Sequence, residues 1–331
     1  TKSGKIVPCK AGEKVNQQPI DNWPKIQGGI YSIIQDEYQA IWIGTKGAGI
    51  FKAVEKNGKY EIVDQYFNKA SDQSRLQSDV YCLAPDKKGR IWAATYGGGL
   101  LSITEKNDST IFKTVDDAYA HYPPGNFRRI RYLCLDHLDR LWIATTEGLV
   151  IYDPNTKQGD LAPFKIYKKE PGNIESLGGN DIQYIFRDSK NRMWLLTSSG
   201  GLNLAVGDDP GKDLKFINYS TKNGLPTDYL LSCVEDKEEN LWISSQIGIF
   251  KFSPSSQTVQ NYNYGGLHET VLSESSCAQL SDGKIVFGNF LGTLTFHPDS
   301  LRKTKIKTNL VFTKFQVNSK DFIPGSALPD I

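Results

Sequence analysis

Apolar residues return along this chain in short runs with a period near two, not at the three-and-four spacing of an amphipathic helix. Runs such as "GIYSIIQ" at 29–35 and "DIQYIF" at 181–186 are followed by a polar turn and then by a second run, "IWIGT" or "MWLLT". Tryptophan anchors the second run at Trp42, Trp92, Trp142, Trp194 and Trp242, with intervals of 50, 50, 52 and 48 residues. Six residues before each stands an aspartate: Asp36, Asp86, Asp136, Asp188 and Asp236. Branched or small apolar residues stand twelve before it (Ile30, Val80, Ile130, Ile182, Leu230) and nine before it (Ile33, Leu83, Leu133, Ile185, Cys233). A sixth copy, "GKIVFGNFLGTLTF", places Val286 in the tryptophan column.

Each unit reads as a strand, an Asp-started turn in which Gly89, Asp139 or Asn191 can take positive φ, and a Trp-bearing strand. A Gly-rich turn ("TKGAGI", "TYGGGL", "TSSGGL") leads into a third apolar strand, and "YEIVDQYFN" or "DLKFINYS" supplies a fourth. Four antiparallel strands per unit of this length predict an all-β fold, a β-propeller of four-stranded antiparallel blades, with six or seven blades compatible with the count. The innermost strand should be buried on both faces, and the indole should fill the space between blades. The repeated Asp and Thr side chains should accept hydrogen bonds from backbone donors in the turns. Residues 28–304 are read as the propeller repeats, and residues 1–27 as N-terminal strands able to join a closing blade.

Composition adds exclusions. With 39 Lys+Arg against 37 Asp+Glu, the net charge of +2 does not point to nucleic acid. No apolar run reaches the length of about 18 residues that suggests a membrane span, and no leader is evident at the start, so no membrane contact is expected of what reads as a piece of a longer chain. Five cysteines show no zinc spacing, and Cys82, Cys134, Cys233 and Cys277 read as core residues. No cofactor and no metal are expected.

Catalytic residues are not expected either, because His121, His137, His268 and His297 form no metal-binding or triad pattern. A metal-dependent lactonase or lyase is the enzymatic alternative. It would use Asn180, Asp181 and Asp228 at inner-strand entrances, where Arg128, Arg129 and Arg131 would repel a cation. Recognition residues belong where the scaffold repeats and the letters vary, at the start of each innermost strand and in the turn after each Trp strand. Those candidates are Tyr31, Lys46, Asp79, Tyr81, Tyr96, Arg128, Arg129, Arg131, Asn180, Asp181, Gln183, Asp228, Tyr229, Gln246 and Phe290. Aromatic faces cover sugar C–H surfaces, and Arg, Asp, Asn and Gln can satisfy hydroxyls or a uronic carboxylate. "RRIR" reads either as ion pairs with Asp79 and Asp181 on neighbouring blades or as an anion contact. A protein-interaction platform with no small ligand is the third reading.

The pattern in "IYSIIQDEYQAIWIGTKGAGIF", "VYCLAPDKKGRIWAATYGGGLL" and "IRYLCLDHLDRLWIATTEGLVIYDP" resembles the repeat of two-component regulator propellers, the periplasmic sensor regions of hybrid histidine kinases in glycan-degrading gut bacteria. "TNLVFTKFQVNSKDF", within residues 305–331, is similar to the opening strand of the β-sandwich that follows in such proteins. The resemblance implies seven blades, a periplasmic location, a non-enzymatic sensor fragment for an oligosaccharide, signalling to a histidine kinase, and a homodimer in the intact receptor.

Overall fold

The computed structural model describes residues 26, 28–66, 79–106, 109–114, 121–154, 164–207, 209–210, 212–262, 271–289 and 292–301, with the backbone of 316–317 and 320–321. Two compact units divide the chain, Thr1–Pro298 and Asp299–Ile331. In the second, the described residues form one short antiparallel pairing, Gln316 with Asp321 and Val317 with Lys320. Residues 1–25, and with them nearly all of the N-terminal segment, lie outside the described residues.

Among the described residues the first unit shows six propeller blades, where the resemblance implied seven. Blade one holds β1 (Gly29–Gln35), β2 (Ile41–Lys46), β3 (Ile50–Lys56) and β4 (Lys59–Tyr66). Blade two holds β5 (Val80–Pro85), β6 (Ile91–Thr95), β7 (Gly99–Lys106) and β8 (Ser109–Thr114). Blade three holds β9 (Ile130–Leu135), β10 (Leu141–Thr145), β11 (Gly148–Tyr152) and β12 (Phe164–Tyr167). Blade four holds β13 (Ile182–Arg187), β14 (Met193–Thr197), β15 (Leu202–Val206) and β16 (Lys215–Tyr219). Blade five holds β17 (Leu230–Glu235), β18 (Leu241–Ser245), β19 (Gly248–Ser253) and β20 (Thr258–Tyr262). Blade six has three described strands, β21 (Leu272–Gln279), β22 (Ile285–Asn289) and β23 (Gly292–Phe296). The first strands stand side by side in order, β1 against β5, then β9, β13, β17 and β21, and so line the axis.

The five repeat tryptophans are at most 1% exposed, and each looks into the next blade. Trp194, Leu196 and Leu202 pack on Leu230, Leu241, Ile243 and Phe250, and Trp142 and Ile151 pack on Ile182, Met193 and Leu195 in the same way. Packing is therefore the role of the indole body, as expected. Its N–H has a second role that spacing did not show. In every one of the five blades Trp Nε1 donates to the Oδ2 of the aspartate six residues earlier, at 2.7 Å to Asp36, 3.1 Å to Asp86, 3.2 Å to Asp136, 2.8 Å to Asp188 and 2.8 Å to Asp236. Oδ1 of the same aspartate accepts backbone N–H groups two and four residues on, from Lys190 and Arg192 at 2.9 Å each in blade four. The residue three on takes positive φ: Gln39, Gly89, Asp139, Asn191 and Glu239. One carboxylate thus fixes a hairpin turn and the indole. Blade six replaces the pair with Leu280 and Val286 and keeps the turn, Leu280 N–H donating to the Lys284 carbonyl at 2.8 Å.

Two expectations need correction. The repeated hydroxyl mainly donates: Thr45, Thr95, Thr145, Thr197 and Ser245 give Oγ hydrogen bonds to the carbonyls of Gly49, Gly99, Gly148, Gly201 and Gly248, at 2.6–3.0 Å. Those carbonyls sit where the next strand begins, so the hydroxyl closes the turn from inside. The innermost strand is also not buried in every blade. Ile30 and Ile33 are 50% and 55% exposed, whereas Val80, Ile130, Ile182 and Leu230 in the first column are fully buried, because no described strand flanks β1 on that side as β1 flanks β5.

Cys82, Cys134, Cys233 and Cys277 are free thiols among the strands lining the axis. Burial pushes the Cys82 and Cys134 thiols up to about 12 and raises Cys233 and Cys277. Thiolate is the reactive form. These four should be silent to a disulfide exchange reagent in the native protein at neutral pH and react on unfolding, which a thiol count with and without denaturant checks.

Candidate functional site

The innermost strands share one irregularity. Between Ile30 and Ser32 the pairing with β2 slips by one residue, and the same slip falls between Val80 and Cys82, Ile130 and Tyr132, Ile182 and Tyr184, and Leu230 and Ser232. A β-bulge leaves its extra residue outside the ladder and re-aims the side chain. The bulged residues are Tyr31, Tyr81, Arg131, Gln183 and Leu231, one per blade at the same height near the channel mouth. In blade six the slip is wider: five residues advance on β21, from Leu272 to Cys277, against two on β22, from Asn289 to Phe287. That bulge carries Glu274, with Ser275 at φ 50°. The six described blades thus present five different side-chain chemistries from one structural position.

These side chains meet. The Tyr31 and Tyr81 rings are 4.6 Å apart and Tyr81 and Tyr96 are 5.2 Å apart, a run of three aromatic faces. Arg131 and Arg129 lie over Tyr96, 5.7 and 5.9 Å from its centroid. Arg131 Nε and Nη2 donate to the Asp181 carboxylate at 2.7 and 3.3 Å, and its Nη1 stands 3.6 Å from Glu274 Oε2. An ion pair therefore runs from blade three to blade four and on to blade six. Asp181 also accepts from Gln183 Nε2 at 3.2 Å and Ser198 Oγ at 3.1 Å, while its carbonyl takes Ser198 N–H at 3.0 Å. The approach of chain to chain there needs glycine: a Cβ on Gly200 would lie 2.1 Å from the Gly178 carbonyl carbon.

Burial works to lower the Arg131 pKa, and the Asp181 hydrogen bond with the Asp181 and Glu274 charges outweighs it, so the pKa rises. Burial, then the charges of Tyr31, Glu274 and Asp79, pushes the Tyr81 phenol up to about 12. Burial and Glu274 also raise Tyr229, which places that ring beside the same charges. Deeper in the channel the Tyr132 and Tyr184 hydroxyls are 3.3 Å apart, and burial holds both phenols well above the usual range. Unfolding returns such phenols to about 10. Below pH about 10 both states keep the protons and stability does not depend on them; above it only the folded state does, so stability should fall as pH rises toward about 12. Urea midpoints above pH 10, with phenolate absorbance delayed in the native protein, check this.

The remaining candidates divide. Asp79 stands just ahead of β5, its carbonyl accepting Tyr96 N–H at 3.0 Å. Arg128 closes a short 3-10 turn, Gly125–Arg128, and its carbonyl accepts Gly97 N–H at 2.8 Å. Asn180 Oδ1 takes Lys169 N–H at 2.6 Å, and Asp228 takes Thr221 N–H at 2.7 Å and its hydroxyl at 3.1 Å, so both serve loops beside the mouth. Lys46, at the end of β2, and Gln246, in the turn after β18, are exposed, with no contact to the aromatic run among the described residues. Phe290 lies outside the described residues. Glu274 escaped sequence reading although it stands twelve residues before Val286, the column that is apolar in the other copies.

A groove of about 390 Å³ opens at the opposite rim between blades three and four, lined by Arg140, Trp142, Arg192 and Met193. Its arginines are committed to the turn aspartates, Arg140 to Asp136 at 2.7 Å and Arg192 to Asp188 at 2.6 Å. Among the described residues no group of three His, Cys, Asp or Glu side chains is placed to hold a metal ion, and no helix is long and apolar enough to cross a membrane.

The family model described as "Two component regulator propeller" matches residues 74–97 and 176–199. A curated relative, Histidine kinase P4 of Formosa agariphila, is 23% identical over 194 residues, which is 58% of this chain and 14% of that protein. The extracellular domain of a B. thetaiotaomicron protein described as a hybrid two component system is 20% identical with a TM-score of 0.52, over 82% of this chain and 42% of that one. Virginiamycin B lyase of Staphylococcus aureus is 13% identical with a TM-score of 0.58, over 83% of this chain and 86% of that one. The chain thus spans less than half the length of the kinase and hybrid-system relatives, and the structural likenesses speak for the fold. On its blades the chain is a β-propeller, and two of its repeats match the two component regulator propeller model.

Proposed function

We propose that this propeller is the extracytoplasmic, periplasmic sensing portion of a two-component regulator, that it binds an oligosaccharide at the bulge ring, and that occupancy is passed to a histidine kinase by an intact receptor acting as a homodimer. The observation that carries the reading is the bulge at one height in every innermost strand. The scaffold repeats while the side chain it presents changes from Tyr to Arg, Gln, Leu and a Glu-bearing loop. Recognition needs variety on a rigid frame, and packing needs none. The tyrosine run offers flat apolar faces to sugar rings, and the Arg131, Asp181 and Gln183 network offers directional partners to hydroxyls.

Calorimetry of the chain and of the intact receptor against a panel of plant and host oligosaccharides tests this. A bound sugar should lose about tenfold or more in affinity with Tyr81→Ala, the effect of removing a central aromatic contact. Binding by neither protein defeats the saccharide reading, and binding unaffected by Tyr81→Ala moves recognition away from this mouth.

A further inference from the structure

We propose that the mouth selects a saccharide bearing a free ammonium group, as in a de-N-acetylated amino sugar, and that Glu274 and Gln183 impose the choice. This rests on the saccharide reading and narrows it. Charge is the first argument. One guanidinium, Arg131, faces two carboxylates, and its Nε and Nη2 are spent on Asp181. Glu274 is left with a contact of 3.6 Å to Nη1, a side chain 36% exposed, and no hydrogen bond among the described residues. A uronate would bring a third carboxylate to a guanidinium already shared by two. Arg129 lies over the outer ring, Tyr96, and is exposed to solvent.

Gln183 is the second, independent argument. It is 1% exposed, and its Nε2 donates to Asp181 Oδ2. A carboxylate neighbour fixes that orientation, since the reversed amide would set oxygen against oxygen. Oε1 is then buried without any donor. A buried acceptor left unmet costs about 1–3 kcal/mol. The two unmet groups beside Asp181 and Arg131, Gln183 Oε1 and the Glu274 carboxylate, are therefore acceptors. An ammonium has three donors and no acceptor, and tyrosine faces such as those of Tyr81 and Tyr229 beside Glu274 attract cations.

The test compares, on the 331-residue chain, glucosamine and galactosamine oligomers with their N-acetylated counterparts and with oligogalacturonate, by calorimetry at neutral pH. The expected result is at least a tenfold preference for one amino oligomer over its acetylated twin, lost in E274Q, whose thermal midpoint should match the parent because the side chain is part-exposed and lacks hydrogen bonds. Equal or tighter binding of the acetylated or uronate oligomers, lost in Tyr81→Ala, overturns the ammonium assignment and leaves the saccharide reading standing. Binding of no saccharide of any charge class, by the chain or the intact receptor, overturns both. A preference that survives in E274Q removes Glu274 from the assignment and overturns the inference as stated.

Discussion

Trp194→Ala should lower the free energy of unfolding by about 3–5 kcal/mol, the range for truncating a large buried aromatic in a core that relaxes incompletely. The site is chosen because both of its walls are rigid. Trp194 is fully buried, meets Phe252 edge-on at 5.9 Å across the blade boundary, and lies near Tyr219 at 6.2 Å in its own blade. Blades five and four lose their shared filling together, so the loss should appear as a lower denaturation midpoint for the propeller as a whole. A change below about 1 kcal/mol would mean that the indole is peripheral, in conflict with its packing between blades.

Asp188→Ala should cost about as much, about 3–5 kcal/mol, by a different route. The carboxylate is 3% exposed at the residue level and receives the Trp194 indole, the Arg192 guanidinium and two backbone N–H groups. Removing it leaves the buried indole N–H, two backbone N–H groups and the part-exposed Arg192 guanidinium without their acceptor at once, and each unmet buried donor costs about 1–3 kcal/mol. Asp188→Asn, which keeps one carbonyl oxygen for the backbone N–H groups, should lose distinctly less. Chemical denaturation of the three proteins under one condition gives the comparison. If the two Asp188 variants lost stability equally, the charge on the hub would not matter and the turn bonds alone would account for the aspartate.

The blades were legible because their signals are local. An aspartate six residues before a tryptophan lies across one hairpin from it, so a fixed count along the chain maps onto a fixed contact in space. The indole hydrogen bond could have been read from that count, and the donor role of Thr45 and its counterparts could not, since a hydroxyl can give or take. Of the mouth, the positions of Tyr31, Tyr81, Arg131 and Gln183 follow from the repeat, yet nothing in the letters says that the residue after each branched apolar is a bulge. Glu274 was hidden because β21 carries a wider bulge than its sisters: Leu272 takes the ladder place that the twelve-residue count assigns to position 274. Asn180 and Asp228 show the opposite failure, since polar residues at a strand entrance can serve their own loops, and only their partners Lys169 and Thr221 reveal it.

The central claim is that recognition takes place on the ring of bulged residues. It is tested most directly by a crystal structure of the chain with whichever saccharide it binds. The account places the sugar against the Tyr31, Tyr81 and Tyr96 faces, with donors directed at Gln183 Oε1 and Glu274. Density at the opposite rim, in the groove between Arg140 and Arg192, or on the outer strands with the bulge ring empty, would contradict it.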